Sequence, residues 1–177
     1  MERYTILGIS GSLRQGAAHT AILEQLSALL EEPFKLLLCE GLEEIPAFNP
    51  EKDIDPAPAS VAHFRDQLKS ADALLICTPE YAYGIPGALK NAMDWVVSSG
   101  ELVNKPVAVI TASGLGEHAH QSIQLVLTAM NAKITEDTTL LISWIKGKLN
   151  EQNQISDPAT LADAQKALQS LINTNLQ

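Results

Sequence analysis

At 177 residues the chain is long enough for one domain with a sizeable core and too short for two comfortable ones, so residues 1–177 are expected to form a single domain. Hydrophobic residues make up 46% and charged residues 19%, which excludes the disordered classes. The net charge of −9 sets the chain against nucleic acid and anionic membrane surfaces, so an anionic ligand needs a local site that works against the global field.

The opening MERYTILGIS runs directly into an apolar stretch and lacks the regions of a secretory signal. No apolar run approaches the roughly 18 residues that a membrane span requires. A cytoplasmic protein is expected. Short apolar runs at residues 4–9, 34–39, 73–77 and 107–111 have the length and continuous apolarity of strands buried on both faces. A fifth strand is expected within residues 132–142, without a defined register.

Helical spacing separates these runs. Ile22, Leu26, Leu29 and Leu30 share one face, as do Val61, Phe64 and Leu68, and then Ile123, Val126, Leu127 and Met130. Leu161, Ala164, Leu168, Leu171 and Ile172 mark a last helix, with Asp157 and Pro158 as N-cap and first position. Five strands alternating with five helices predict an α/β fold: an open parallel sheet with helices on both faces, a three-layer sandwich. Residues 143–156 read as a connection. Residues 41–58, with Pro46, Pro50, Pro56 and Pro58, form a long irregular stretch, either a functional loop or a surface excursion. The segment 86–98 is apolar nearly all round and suggests a helix at a subunit interface, in a homodimer or homotetramer.

Open α/β sheets bind ligands beyond the carboxyl ends of their strands. After the first strand comes GSLRQGAAHT, leading into a helix whose free amides and dipole favour an anion. Ser12 offers a hydroxyl and Arg14 a charged fork. The loop is neither a Walker loop nor a G-x-G-x-x-G loop, and a monophosphate suits it better than a pyrophosphate. After the third strand comes TPEYAYGIPG, a stiff loop able to wall a flat heteroaromatic ring. After the fourth comes TASGLG, again small residues before a helix.

GSLRQG followed by TPEYAYGIPGALKNAMDW resembles the NADPH-dependent FMN reductase family of flavodoxin-like proteins. The resemblance implies strand order 2-1-3-4-5 and non-covalent FMN at the carboxyl edge. It also implies NAD(P)H as co-substrate and a small acceptor, such as a quinone, free flavin, azo compound or oxidised metal ion, served by a ping-pong mechanism. Ser12 and Arg14 would hold the phosphate, with the amides of Ala17 and Ala18 and the ring of His19 beside them. Pro79, Glu80, Tyr81, Ala82 and Tyr83 would line the isoalloxazine, and Ser113 would sit near it from the third loop. The chain departs from the family at Ala17, where Ser is usual, and at His19 and Ala82, where Asn is usual. A lost phosphate donor costs about 1–3 kcal/mol.

The flavin carries the difficult chemistry, so no catalytic side chain is expected. The altered phosphate loop leaves a rival open: a non-enzymatic flavodoxin-like electron carrier or a weak flavin-binding interaction module. His118 and His120 lie two apart, which on a helix points them to different faces, and no metal site is expected. Cys39 and Cys77, in LLLC and LLIC, have neither zinc-ligand spacing nor the number a disulfide scaffold needs; buried free thiols are expected.

Overall fold

The computed structural model describes residues 3–175. Five strands, β1 Tyr4–Ser10, β2 Phe34–Leu38, β3 Ala73–Thr78, β4 Val107–Ala112 and β5 Thr139–Ile142, pair in the order β2-β1-β3-β4-β5. Every pairing is parallel. Helices α1 Ala18–Ser27, α2 Ala59–Ser70, α3 Gly87–Asp94, α4 Glu117–Ala129 and α5 Pro158–Asn175 connect and flank them. This is the expected flavodoxin-like three-layer sandwich.

The period-two alternation of the strands divides the interior into two cores. Leu7 and Ile9, Leu74 and Ile76, and Val107 and Val109 face α2, α3 and α4, where Val61, Phe64, Leu68, Leu89, Met93, Ile123 and Leu127 meet them. Ile6, Leu75, Cys77, Ala108 and Ile110 face the other way, onto Ile22, Leu23 and Leu26 of α1 and Ala164, Leu168 and Leu171 of α5. All six residues of β3 and all six of β4 are buried. Burial of each large side chain supplies about 1.5–3 kcal/mol.

Asp157 caps α5 as the sequence predicts: its Oδ2 accepts from the Thr160 N–H at 2.9 Å and from the Thr160 hydroxyl at 2.6 Å. Cys39 and Cys77 are free thiols, Cys77 buried and Cys39 half-buried. Burial, with Glu40 and Glu43 adding to it, pushes the Cys39 thiol up to about 12.

Two expectations are corrected. The first helix ends at Ser27, so Leu29 is exposed instead of joining the face of Ile22 and Leu26. The segment 86–98 is helical only to Asp94. The Trp95 carbonyl accepts from Arg65 Nε at 3.1 Å and from Arg65 Nη2, and Gly100 sits at φ 76°, which suits a helix ending.

Most of the apolarity of that segment is satisfied within the chain, Val97 at 63% exposed being the exception. Trp95 is 0% exposed and Val96 1%. The long stretch 41–58 covers them. Phe48 meets the Trp95 ring edge-on at 5.1 Å, and Trp95 Nε1 donates to the Pro46 carbonyl at 2.8 Å. Asn91 accepts from the Phe48 N–H at 2.8 Å, and Arg65 pairs with Asp53 at 2.7 Å. The proline-rich stretch is therefore a packing cover for α3. The burial of Trp95 and Val96 is supplied by the chain itself, and Val97 stays exposed.

Candidate functional site

β1 runs out at Ser10, and the Gly11 N–H donates to the Cys77 carbonyl at 2.8 Å, so the two strand ends stay in contact. A Cβ on Gly11 would stand 2.2 Å from the Thr78 hydroxyl and 3.1 Å from the Thr78 Cα; only glycine fits. Beyond it Ser12 is buried, and its Oγ lies 3.3 Å from the Tyr81 hydroxyl. Ala17 is the N-cap of α1, with extended backbone at φ −62°, ψ 140° and no side chain able to cap. Among the described residues the N–H groups of Ala18 and His19 have no acceptor. Two unsatisfied amides therefore stand at the positive end of α1, beside the exposed Arg14.

His19 turns its Nε2 to the Ala112 carbonyl at 2.9 Å, while its Nδ1 is buried without a partner. Burial lowers its basicity below the ordinary histidine value, the Ala112 carbonyl raises it, and the Arg14 charge lowers it further. The ring is neutral at physiological pH, and His19 ties the start of α1 to the end of β4.

The loops after β3 and β4 brace each other. The Glu80 N–H donates to Ser113 Oγ at 3.2 Å. The Glu80 carboxylate accepts from the Ala119 N–H at 3.0 Å, three residues beyond Gly116, the N-cap of α4. Gly116 has no side chain to cap with and sits at φ 92°, so Glu80 caps the helix from a neighbouring loop. Tyr81 and Gly84 exchange two backbone hydrogen bonds at 2.9 and 3.0 Å around Ala82 at φ 47° and Tyr83 at φ 59°. Both central residues of this turn are left-handed, a conformation Asn accepts more readily than Ala.

These loops surround a cavity of about 680 Å³ at the carboxyl edge of the sheet. Of the residues singled out in the sequence, Ser12, Arg14, Ala17, Ala18, His19, Pro79, Glu80, Tyr81 and Ser113 line it. Ala82 and Tyr83 do not: they form the tip of the turn, where Tyr83 is 73% exposed and meets His118 edge-on. His120 is engaged elsewhere, with Nδ1 3.0 Å from the Thr111 hydroxyl, and burial lowers its basicity.

A fourth wall escaped the sequence. Trp144, Ile145, Lys146, Gly147, Leu149 and Asn153, all from the segment read as a plain connection, line the cavity. Asn153 donates to the Gly16 carbonyl at 3.2 Å, and Gln25 exchanges two bonds with the Ile155 backbone at 3.0 and 2.8 Å. The β5–α5 segment is thus strapped along α1, from Gly16 just before its start to Gln25 in its last turn.

A parallel sheet of order β2-β1-β3-β4-β5 between two helical layers, with its cavity at the carboxyl edge, defines a flavodoxin-like protein. The sequence model of the NADPH-dependent FMN reductases matches residues 4–146, and the chain belongs to that family. It is 32% identical over 171 residues to an NAD(P)H-dependent FMN reductase of Pseudomonas aeruginosa, covering 94% of this chain and 92% of the relative. It is 27% identical over 167 residues to a quinone reductase of Escherichia coli, covering 90% and 89%. Among solved structures it resembles a flavoenzyme NAD(P)H:(acceptor) oxidoreductase of Paracoccus denitrificans, with TM-score 0.75, 24% identity and 97% coverage of both chains. Among the described residues no helix is long and apolar enough to cross a membrane.

Proposed function

We propose that the chain binds one FMN non-covalently in the cavity at the ends of β1, β3 and β4. In this reading it passes electrons from NAD(P)H to a small acceptor, both substrates using one site in alternation. The observation that carries this is the convergence on one cavity of two free amides (Ala18, His19), a cation (Arg14) and a buried hydroxyl (Ser12). The donors suit a phosphate monoester, and the volume lies within the range of small-molecule sites.

FMN supplies, when bound, acceptance of hydride from nicotinamide and its onward delivery as electrons. The chain's own residues do the rest. Arg14 and the α1 amides hold the phosphate against a net charge of −9. The Glu80–Ser113–Ala119 brace keeps the ring-facing loops at fixed separation. Pro79 and Tyr81 give the cavity an apolar wall. No side chain is asked to act as nucleophile or acid. The acceptor is of the class of quinones, free flavins, azo compounds or oxidised metal ions.

The test is release of the bound chromophore by heat. FMN by chromatography, and parallel double-reciprocal plots with NAD(P)H and a quinone, are the expected results. No flavin after reconstitution with excess FMN refutes the site, and intersecting plots refute the shared binding. Assembly into a homodimer or homotetramer stays within this reading, now resting on Val97 and Leu125, which are 63% and 72% exposed. Sedimentation at micromolar concentration tests it, and a monomer of 19.1 kDa removes it.

A further inference from the structure

The cavity carries a second cation besides the one placed at the flavin phosphate. Its charged lining residues are Arg14, Lys146 and Glu80, and the Glu80 carboxylate already accepts from the Ala119 amide. Arg14 stands beside the free amides of α1, a sufficient set for one phosphate monoester. Lys146 stands on a different loop, after β5, and makes no ion pair among the described residues. A second cation lining one cleft of an acidic protein gives that cleft a second place for an anionic group.

Trp144 lies two residues away on the same wall. Its indole is 69% exposed, whereas the chain's other tryptophan, Trp95, is 0% exposed. Its backbone is left-handed, at φ 57° and ψ 37°, a conformation that bulky residues rarely take and that persists only where the surroundings impose it. Here they do. The Trp144 N–H donates to the Gly114 carbonyl at 2.9 Å, the Ile145 N–H to the Ser113 carbonyl at 3.1 Å, and the Gly147 N–H to the Trp144 carbonyl at 3.1 Å. The loop after β4 thus holds a large aromatic surface open at the cavity wall, with a free ammonium beside it.

We propose that Trp144 and Lys146 form the subsite for the nicotinamide dinucleotide: the indole stacks on one of its aromatic rings and the ammonium holds one of its phosphates. This rests on the flavin reading above. A neutral acceptor such as a quinone offers a ring but no phosphate, so it uses the indole and not the ammonium. The dinucleotide offers both; a free FMN acceptor would offer both as well, and direct titration with NADP⁺ distinguishes the two.

The test is isothermal titration of the FMN-loaded protein with NADP⁺ and with NAD⁺, neither of which reduces the flavin. Lys146→Gln is expected to weaken NADP⁺ binding about tenfold, by an amount that shrinks as salt rises, with FMN content unchanged. An equal loss for NAD⁺ assigns Lys146 to the pyrophosphate; a loss confined to NADP⁺ assigns it to the 2′-phosphate. Trp144→Ala is expected to weaken both about threefold to tenfold, and Trp144→Phe to restore most of that loss. Variants that keep their FMN and bind NADP⁺ within twofold of wild type overturn the subsite and leave the flavin reading standing. So does a Lys146→Gln protein in which only the KM for a quinone moves, since the subsite then belongs to the acceptor. A wild-type protein that takes no FMN overturns both.

Discussion

The β1–α1 and β5–α5 segments face each other across one cavity and are built differently. The first makes its binding groups locally: Gly11 permits a close approach to β3, and residues 18 and 19 present amides because a helix starts there, whereas the Ala17 N–H expected to join them is donated to the Arg14 carbonyl at 3.1 Å. The second has no such local device. Its Trp144, Lys146 and Asn153 reach the cavity because Gly114, Ser113, Gly16 and Gln25, all distant in sequence, hold it in place. Local backbone geometry leaves a signature in residue types at fixed offsets. A wall assembled from long-range bonds leaves almost none.

The sharpest way to break the first segment is to fill the close approach. Gly11→Ala sets a methyl against the hydroxyl and backbone of Thr78, where neither neighbour is the loose end of a flexible side chain. The expected cost is about 3 kcal/mol of stability, the upper end for overpacking, together with loss of FMN binding. Urea unfolding checks the first effect and flavin titration the second. A variant as stable as wild type would mean that the strand ends separate freely.

Removing the cation tests whether the same segment works through its amides or its side chain. Arg14→Ala is expected to cost about 1.5–3 kcal/mol of FMN binding, or about 10- to 150-fold in Kd, with unfolding unchanged because the side chain is exposed. Titration of the apoprotein reads it. A Kd within twofold of wild type assigns the phosphate to the α1 amides alone.

That contrast explains what was legible. The alternation of strands and helices, the two-faced burial of β3 and β4 and the residues of three cavity loops follow from apolar runs, small residues and helix starts, and each of those has a local cause; the strand order was implied by the family resemblance alone. Helix length in 86–98 did not follow, because Arg65, distant in the chain, engages the Trp95 carbonyl. The role of residues 41–58 was unreadable for the same reason: Phe48 and Pro46 find Trp95 only after folding. Ala82 and Tyr83 belong to a motif, yet the motif at those positions specifies a left-handed turn rather than a cavity wall.

The strap can be cut without touching the cavity. Gln25 satisfies both backbone groups of Ile155, a residue only 2% exposed. Gln25→Ala leaves that N–H and that carbonyl unpaired, and about 2 kcal/mol of stability should go with them. Thermal unfolding measures it. The effect on FMN binding is expected to be smaller than that of Arg14→Ala, since the phosphate groups lie on the other segment. The reverse order would make the strap, not the local loop, the determinant of flavin affinity.

The smallest change is the most discriminating. Ala17 has the extended backbone of an N-cap and lacks an oxygen to act as one, while the His19 N–H two residues on has no acceptor. In Ala17→Ser the hydroxyl oxygen accepts from a first-turn amide, which should raise the stability of the flavin-free protein by about 1 kcal/mol. The hydroxyl proton stays free, and because residue 17 lines the cavity it can be donated to a phosphate at the same time. That second bond should contribute about 1 kcal/mol, or about fivefold in FMN Kd. The two effects separate experimentally, since the first is read by thermal unfolding without flavin and the second by titration with it. Gain in stability alone means that the serine caps the helix but faces away from the phosphate. Gain in affinity alone means that the amides are already held elsewhere. Gain in neither means that position 17, only 2% exposed, has no room for the oxygen. The phosphate would then rely on Arg14 and the Ala18 and His19 amides.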